Sequence, residues 1–298
     1  MNILVSGSSG FIGSALVAAL RAGDHRVVRL VRPQSKADGP VVRWDPDTGT
    51  IDRAGLEGIE AVIHLAGASI AERWTPEHKT RIRESRVRGT RLLSEALAEQ
   101  ARPPGVLICA SATGYYGHRG DEWLTEESPP GTGFLADVCQ QWEAAAEPAR
   151  QRGIRVVNLR IGIVLGRQGG ALARMLLPFR LGLGGTIGCG RQYWSWIALD
   201  DLVSAFLHAL VTDSLSGPVN VVSPVPVTNR EFTRTLGRVL ARPTVFPLPA
   251  PVARFLLGEM ADELLLASAR VRPVRLLESG FQFRYPDLES ALRHLLKA

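Results

Sequence analysis

The chain has 298 residues, is 45% hydrophobic and 21% charged, and carries a formal net charge of +6. That is the composition of an ordinary globular protein, and no apolar run reaches the roughly 18 residues that a membrane-spanning helix needs. All but three of the 35 basic residues are arginine, spread along the chain, and no helix-turn-helix or RNA-binding motif accompanies them. Anionic small ligands are therefore the expected partners, rather than nucleic acid or membrane. Cys109, Cys139 and Cys189 are widely spaced with no Cys-x-x-Cys pair. Buried reduced thiols are expected, with neither a disulfide framework nor a metal site. No basic segment precedes the first apolar run, so no secretory signal is read and a cytoplasmic location is expected.

In chain order, residues 2–6 read as a strand, 11–22 as a helix, 26–31 and 41–44 as strands, and 61–66 as a further strand. An arginine-rich helix is expected over 76–101, then a strand at 106–111, a helix over 134–152 and a strand at 154–159. This alternation implies an α/β fold, a doubly wound parallel sheet of Rossmann type with helices on both faces. Beyond about residue 165, glycine-rich stretches appear and prolines concentrate from 218 to 251. The expected division is a nucleotide-binding domain over 1–165 and a smaller C-terminal lobe over 166–298. Segments near 200–225 are expected to return to the core.

Gly7-Ser-Ser-Gly10-Phe-Ile-Gly13 lies between the first strand and the first helix. Glycines there allow a tight turn, close approach of phosphate to backbone, and close packing of helix on strand. The helix N-terminus supplies free N–H groups and a positive dipole end. Gly7, Ser9, Gly10, Phe11, Ile12 and Gly13 are thus candidate dinucleotide contacts. The second strand, Val27–Val31, is followed by Arg32, with no acidic residue for a ribose 2′-hydroxyl. An arginine at this point suits a 2′-phosphate, so NADP is expected before NAD. Lys36 would assist. Leu65, Ala66 and Gly67 either let backbone approach a ribose or make only a tight turn. Trp44 and Asp45 are weaker candidates to line the adenine. Asp200 and Asp201 are expected to cap the helix that follows them.

These residues, with others, carry a family resemblance. The glycine spacing, His64-Leu-Ala-Gly67, Ser85-Arg-Val-Arg-Gly-Thr90, SATGYYG at 111–117 and FLADVCQQWEAAA at 134–146 contribute to it. So do LLPFRLGLGG at 176–185, GCGRQYWSWIALDDL at 188–202 and GFQFRYPDLESAL at 280–292. The chain resembles atypical members of the extended short-chain dehydrogenase/reductase superfamily, epimerase-like and with a C-terminal region of the DUF1731 type. The resemblance implies hydride transfer with a nicotinamide, a Ser that polarises the substrate oxygen, a Tyr that exchanges the proton, and a Lys four residues later. Ser111 matches the Ser. Arg86 stands where an Asn is usual and joins the candidate cofactor contacts.

The Tyr-x-x-x-Lys pair is absent. Aligning Glu143 with the family's helix glutamate leaves Leu135 and Cys139 at its positions, and a shift by one leaves Phe134 and Val138. The tyrosines at 115, 116, 193 and 285 are followed four residues on by Arg119, Gly120, Ile197 and Glu289. A tyrosine transferring a proton at neutral pH needs a nearby cation. Tyr115 or Tyr116 with Arg119 is the conceivable substitute; the alternative is that both tyrosines only pack. Tyr193, Trp194, Trp196 and Arg191 either wall a substrate site or pack within the lobe; Arg180 and His118 are lesser candidates. Two functions stand: an NADP-dependent oxidoreductase or epimerase-like enzyme acting on a carbonyl or sugar-like small molecule, and a non-catalytic NADP-binding sensor or partner-binding protein. An oligomer is compatible with either.

Overall fold

The computed structural model describes residues 1–36 and 38–297. The first half runs β1 (Asn2–Ser6), α1 (Phe11–Ala22), β2 (Arg26–Val31), β3 (Val41–Asp45), β4 (Thr50–Ile51), β5 (Ala61–His64), α2 (Pro76–Ala98) and β6 (Val106–Ala112). There follow β7 (Trp123–Leu124), α3 (Phe134–Ala144), α4 (Glu147–Gln151), β8 (Arg155–Ile161), β9 (Ile163–Leu165) and α5 (Gly170–Arg180). The remainder is β10 (Tyr193–Trp194), β11 (Trp196–Ala198), α6 (Leu199–Val211), β12 (Gly217–Val221), β13 (Val227–Thr228), α7 (Asn229–Leu240), α8 (Ala250–Leu257), β14 (Arg270–Val271), α9 (Val274–Glu278) and α10 (Leu288–Leu296). No helix among the described residues is long and apolar enough to cross a membrane.

The main sheet has the order β12-β8-β6-β5-β1-β2-β3-β4. It is Rossmann-like and mostly parallel: β1 pairs in parallel with β2 and β5, β2 with β3, and β5 with β6, while β4 closes the edge antiparallel to β3. The order reverses beside β1, and such a switch point is where open α/β sheets bind ligands, beyond the carboxyl ends of the strands. The expected apolar runs became these strands because parallel strands are covered on both faces.

Several boundaries differ from expectation by a few residues, and two of the differences have a clear physical reason. The strand expected over 61–66 stops at His64, because the next two N–H groups donate to a side chain, Ser6 Oγ. The helix expected over 134–152 is two helices; Pro148, in the first turn of α4, starts the second.

The chain folds into two compact units that do not follow a single cut near residue 165. Unit 1 comprises Met1–Ser111, Val138–Leu159 and Val203–Val219; unit 2 comprises Ala112–Asp137, Arg160–Leu202 and Asn220–Ala298. The core of unit 1 gathers Leu4, Leu30, Trp44, Val62, Leu97, Leu107 and Val156. That of unit 2 gathers Leu172, Phe179, Trp194, Trp196, Phe232 and Leu292. The excursion 112–137 belongs to unit 2 because Tyr116 and Leu124 are buried there with Val222 and Val271.

Candidate functional site

The glycine turn of unit 1 is shaped by exclusion. Gly7 has φ +65, and a Cβ on it would lie 2.9 Å from the Leu65 carbonyl carbon. A Cβ on Gly13 would lie 2.1 Å from the Gly7 oxygen, so α1 packs directly on the turn. The Gly10 N–H donates to Gly7 O at 3.0 Å. Where α2, α7 and α10 begin with the capping side chains of Thr75, Thr228 and Asp287, α1 begins at Gly10 with no side-chain cap and no acidic residue in its first turn. Its first N–H groups and dipole end are open to an anion. Ser9 and Gly10 are exposed, and Phe11 and Ile12 half-buried.

A buried pair behind this turn escaped sequence reading. Ser6 Oγ accepts the Leu65 and Ala66 N–H groups at 3.0 and 3.1 Å and lies 2.7 Å from His64 Nδ1. With its lone pairs so occupied, Ser6 donates its own hydrogen, and Nδ1 must be the accepting nitrogen. The imidazole proton is therefore on Nε2, which is buried with no partner among the described residues. Burial pulls the His64 pKa down to about 4, keeping the ring neutral. Trp44 meets this ring edge-on at 5.7 Å and is itself buried in the core, so it does not line an adenine site. The only signal in the sequence was two polar residues within apolar strands.

Arg32 does stand at the end of β2, half-exposed, but its guanidinium donates to Asp47 and lies 3.9 Å from Asp45. Arg43 Nη1 reaches round to the Pro33 carbonyl at 2.5 Å, a second guanidinium at the same strand ends. Lys36 is exposed.

Arg86, on α2, leans over the turn after β5. Its Nη1 donates to the carbonyls of Ala68 and Ile82 at 3.0 and 3.1 Å, and its guanidinium lies 5.0 Å from the centre of the Trp142 ring. Trp142 Nε1 in turn donates to Thr90 Oγ1 at 2.9 Å, one turn further along α2. Burial lowers the Arg86 pKa from the usual arginine value.

Ser111 ends the β6 segment of unit 1 and is only 3% exposed. Its hydroxyl donates to Glu143 Oε1 at 2.7 Å, so its hydrogen is already committed. Leu135, Cys139, Phe134 and Val138, the residues at either register of the missing pair, are all buried. In unit 2, the Phe134 and Leu135 N–H groups donate to the Glu263 carboxylate at 3.1 and 3.2 Å, so α3 opens on a carboxylate from the C-terminal region.

The two tyrosines of unit 2 separate. Tyr116 is fully buried; its one hydroxyl hydrogen faces two acceptors, Asn220 Oδ1 at 2.7 Å and the Thr125 carbonyl at 2.9 Å, and its oxygen accepts from Arg160 Nη1 at 3.0 Å. Burial pushes its pKa up to about 12 against the pull of Arg160. A phenol so enclosed cannot exchange a proton with a ligand, which removes Tyr116 from the catalytic candidates. Tyr115 is half-buried, and its hydroxyl has no hydrogen-bond partner among the described residues. The cation beside it is not Arg119, which is engaged by Glu122 at 2.7 Å, but Arg160, 3.4 Å above the Tyr115 ring.

The aromatic stretch of the second half is mainly core. Trp194 and Trp196 are buried and donate their indole N–H groups to the Leu265 and Val225 carbonyls at 3.3 and 3.1 Å. They pack the lobe and do not wall a site. Tyr193 is half-buried beneath Arg270, at 4.5 Å, while Arg191 and Arg180 are exposed. Asp200 and Asp201 are not caps. Asp201 is buried and accepts the Arg284 and Tyr285 N–H groups at 2.9 and 3.0 Å, and Asp200 meets His294 at 3.3 Å. Burial raises the Asp201 pKa, opposed by those two N–H groups. His118 Nδ1 accepts the Ser268 N–H at 3.1 Å, a loop contact.

Comparison with known proteins identifies the family. The family model described as NAD dependent epimerase/dehydratase family matches residues 3–222, and that described as Domain of unknown function (DUF1731) matches 248–295. An epimerase family protein of Mycobacterium bovis is 46% identical over 97% of this chain and 96% of its own. The crystal structure of human epimerase family protein SDR39U1 (isoform 2) with NADPH is 36% identical, with a TM-score of 0.90 over 99% of each chain. The nucleoside-diphosphate sugar epimerase of Corynebacterium glutamicum is 38% identical with a TM-score of 0.82, over 99% of this chain and 58% of that longer one. The chain thus belongs to the NAD dependent epimerase/dehydratase family, as an atypical short-chain dehydrogenase/reductase with a C-terminal DUF1731 region.

Proposed function

We propose that unit 1 binds NADP(H) and that the protein is an NADP-dependent oxidoreductase or epimerase-like enzyme with a nonstandard active site. The observation that carries the cofactor reading is the glycine turn, whose cradle a Cβ would fill and which opens on an uncapped helix N-terminus. Gly7, Ser9, Gly10, Phe11, Ile12 and Gly13 would hold the pyrophosphate. Arg32 would hold a 2′-phosphate, exchanging the Asp47 carboxylate for it. Leu65, Ala66, Gly67 and Arg86 would meet the ribose side. The relative solved with NADPH supports the choice of nucleotide. When bound, the nicotinamide supplies hydride transfer.

The chain's own contribution is to orient a substrate and to move its proton. Ser111 is the candidate to polarise a substrate oxygen, for which its hydrogen must swing from Glu143. Tyr115, with its free hydroxyl and the Arg160 charge over its ring, is the candidate proton carrier. A carbonyl or sugar-like small molecule is the proposed substrate; a relative named as a nucleoside-diphosphate sugar epimerase supports the sugar side.

The second reading is a non-catalytic NADP-binding sensor or partner-binding protein. It is favoured by the buried apolar residues at both positions of the missing Tyr-x-x-x-Lys pair. A side-by-side titration with NADPH and NADH tests the cofactor reading: NADPH-preferring binding is expected, and binding of neither overturns both functions. Ser111→Ala then separates them. It lowers turnover under the enzyme reading and leaves NADPH affinity intact under both.

A further inference from the structure

We infer that Arg86 is the cation that grips the nicotinamide half of the dinucleotide, and that it does from α2 what a lysine at position 139 would do from α3. The inference rests on the NADP(H) reading and deepens it by assigning the charge a task.

The first observation is a missing counter-charge. On the same helix, Arg81, Arg88 and Arg91 each pair with a glutamate, at 3.0, 2.8 and 2.5 Å. Arg86, half-buried against Trp142, bonds only to two carbonyl oxygens, and no carboxylate pairs with it among the described residues. A half-buried guanidinium without an anion loses part of its hydration with no counter-charge to replace it. It is well suited to a ligand that brings the missing oxygens.

The second observation is position. A Cβ on Gly67 would lie 3.1 Å from the Arg86 Cζ, so the absence of a side chain there leaves the guanidinium against the backbone of the turn after β5. In the sheet, β5 and β2 flank β1 on opposite sides. Arg86 and Arg32 therefore stand on opposite sides of the phosphate turn that follows β1. A dinucleotide lying across this switch point with its 2′-phosphate at Arg32 presents its other half to Arg86.

The third observation is the neighbour on α3. Trp142 lies under the guanidinium, and Cys139 precedes it by three residues, on the same helical face. The Cys139 thiol is buried within electrostatic reach of Arg86. A lysine at 139 would bring its ammonium to the charge that Arg86 now occupies. In the first of the two registers, with Cys139 at the lysine's position, the two departures of this sequence are then one change: the positive charge stands on α2 instead of α3.

The test is calorimetric titration of Arg86→Gln with NADPH and with adenosine 2′,5′-bisphosphate, which lacks the nicotinamide half. Glutamine keeps an amide donor for the two carbonyls and removes the charge. The expected result is a loss of about 10- to 100-fold for NADPH and a change of less than about twofold for the bisphosphate. Arg32→Gln weakens both ligands. Arg86→Gln/Cys139→Lys regains most of the NADPH affinity. Equal loss for both ligands, or none for either, overturns the inference. So does a well-folded double variant that binds NADPH no better than Arg86→Gln. If the double variant does not fold, the two-ligand comparison decides alone. Wild-type protein that binds no NADPH removes the cofactor reading and this inference together, whereas wild-type and Arg86→Gln binding alike removes the inference only.

Discussion

Acidification should expose His64. The ring is fully buried, accepts from Ser6 through Nδ1, and leaves its Nε2 without a partner among the described residues, so a second proton would put an uncompensated charge in the core. Its pKa falls from 6.5 to about 4 on folding because burial disfavours the charged ring. Between those values the unfolded chain binds the proton and the folded one does not, so stability rises with pH across the window. The contribution is complete above pH 6.5 and lost as pH falls toward 4. It amounts to about 3 kcal/mol in full and about 2 kcal/mol by pH 5. Urea unfolding of wild type and His64→Asn at pH 7 and pH 5 isolates it. Asparagine can accept from Ser6 but does not titrate, and it leaves a fixed packing loss at both pH values. Other titrating groups cancel in the difference. The wild-type advantage should shrink by about 2 kcal/mol between pH 7 and pH 5. An advantage that is the same at both would refute the assignment of a neutral, partnerless ring.

Two further outcomes follow from the packing. Gly13→Ala drives a methyl to 2.1 Å from the Gly7 oxygen, so α1 must move off the phosphate turn. NADPH binding should be lost by calorimetry, with unfolding destabilised by roughly 1–3 kcal/mol; unchanged affinity would show that the turn holds no phosphate. Tyr116→Phe removes a hydroxyl that joins Asn220, Thr125 and Arg160. It should cost about 1–3 kcal/mol in urea unfolding while leaving NADPH affinity unchanged, and a loss of affinity without loss of stability would return Tyr116 to the site.

What could be read in advance was local. Gly7, Gly10 and Gly13 sit between a strand and a helix, and their spacing requires a tight turn with helix packed on strand. Leu16, Val17 and Leu20 lie on the buried face of α1, and the apolar run at 106–111 has no polar face to offer water. Each is a property of a dozen consecutive residues, governed by backbone sterics and by the periods of helix and strand. The strand alternation implied the doubly wound sheet for the same reason.

What the sequence left open was which side chain meets which. Arg119 follows Tyr115 closely, yet the cation over that ring is Arg160, which arrives on β8. Trp194 and Trp196 have the composition of a ligand wall and the position of a core. Asp201 begins a helix as a cap would, but accepts the N–H groups of residues more than eighty positions away. Ser6 with His64, Ser111 with Glu143, and Arg86 with Trp142 are likewise pairs from separate elements. Local propensity and apolar pattern set which segments become strands and helices, so those were determined by the sequence alone, while some of their ends, such as that of β5, set by Ser6, were not. The charge, proton and hydrogen-bond state of a side chain depends on groups that only the return of the chain brings within a few ångströms, and these the tertiary structure decided.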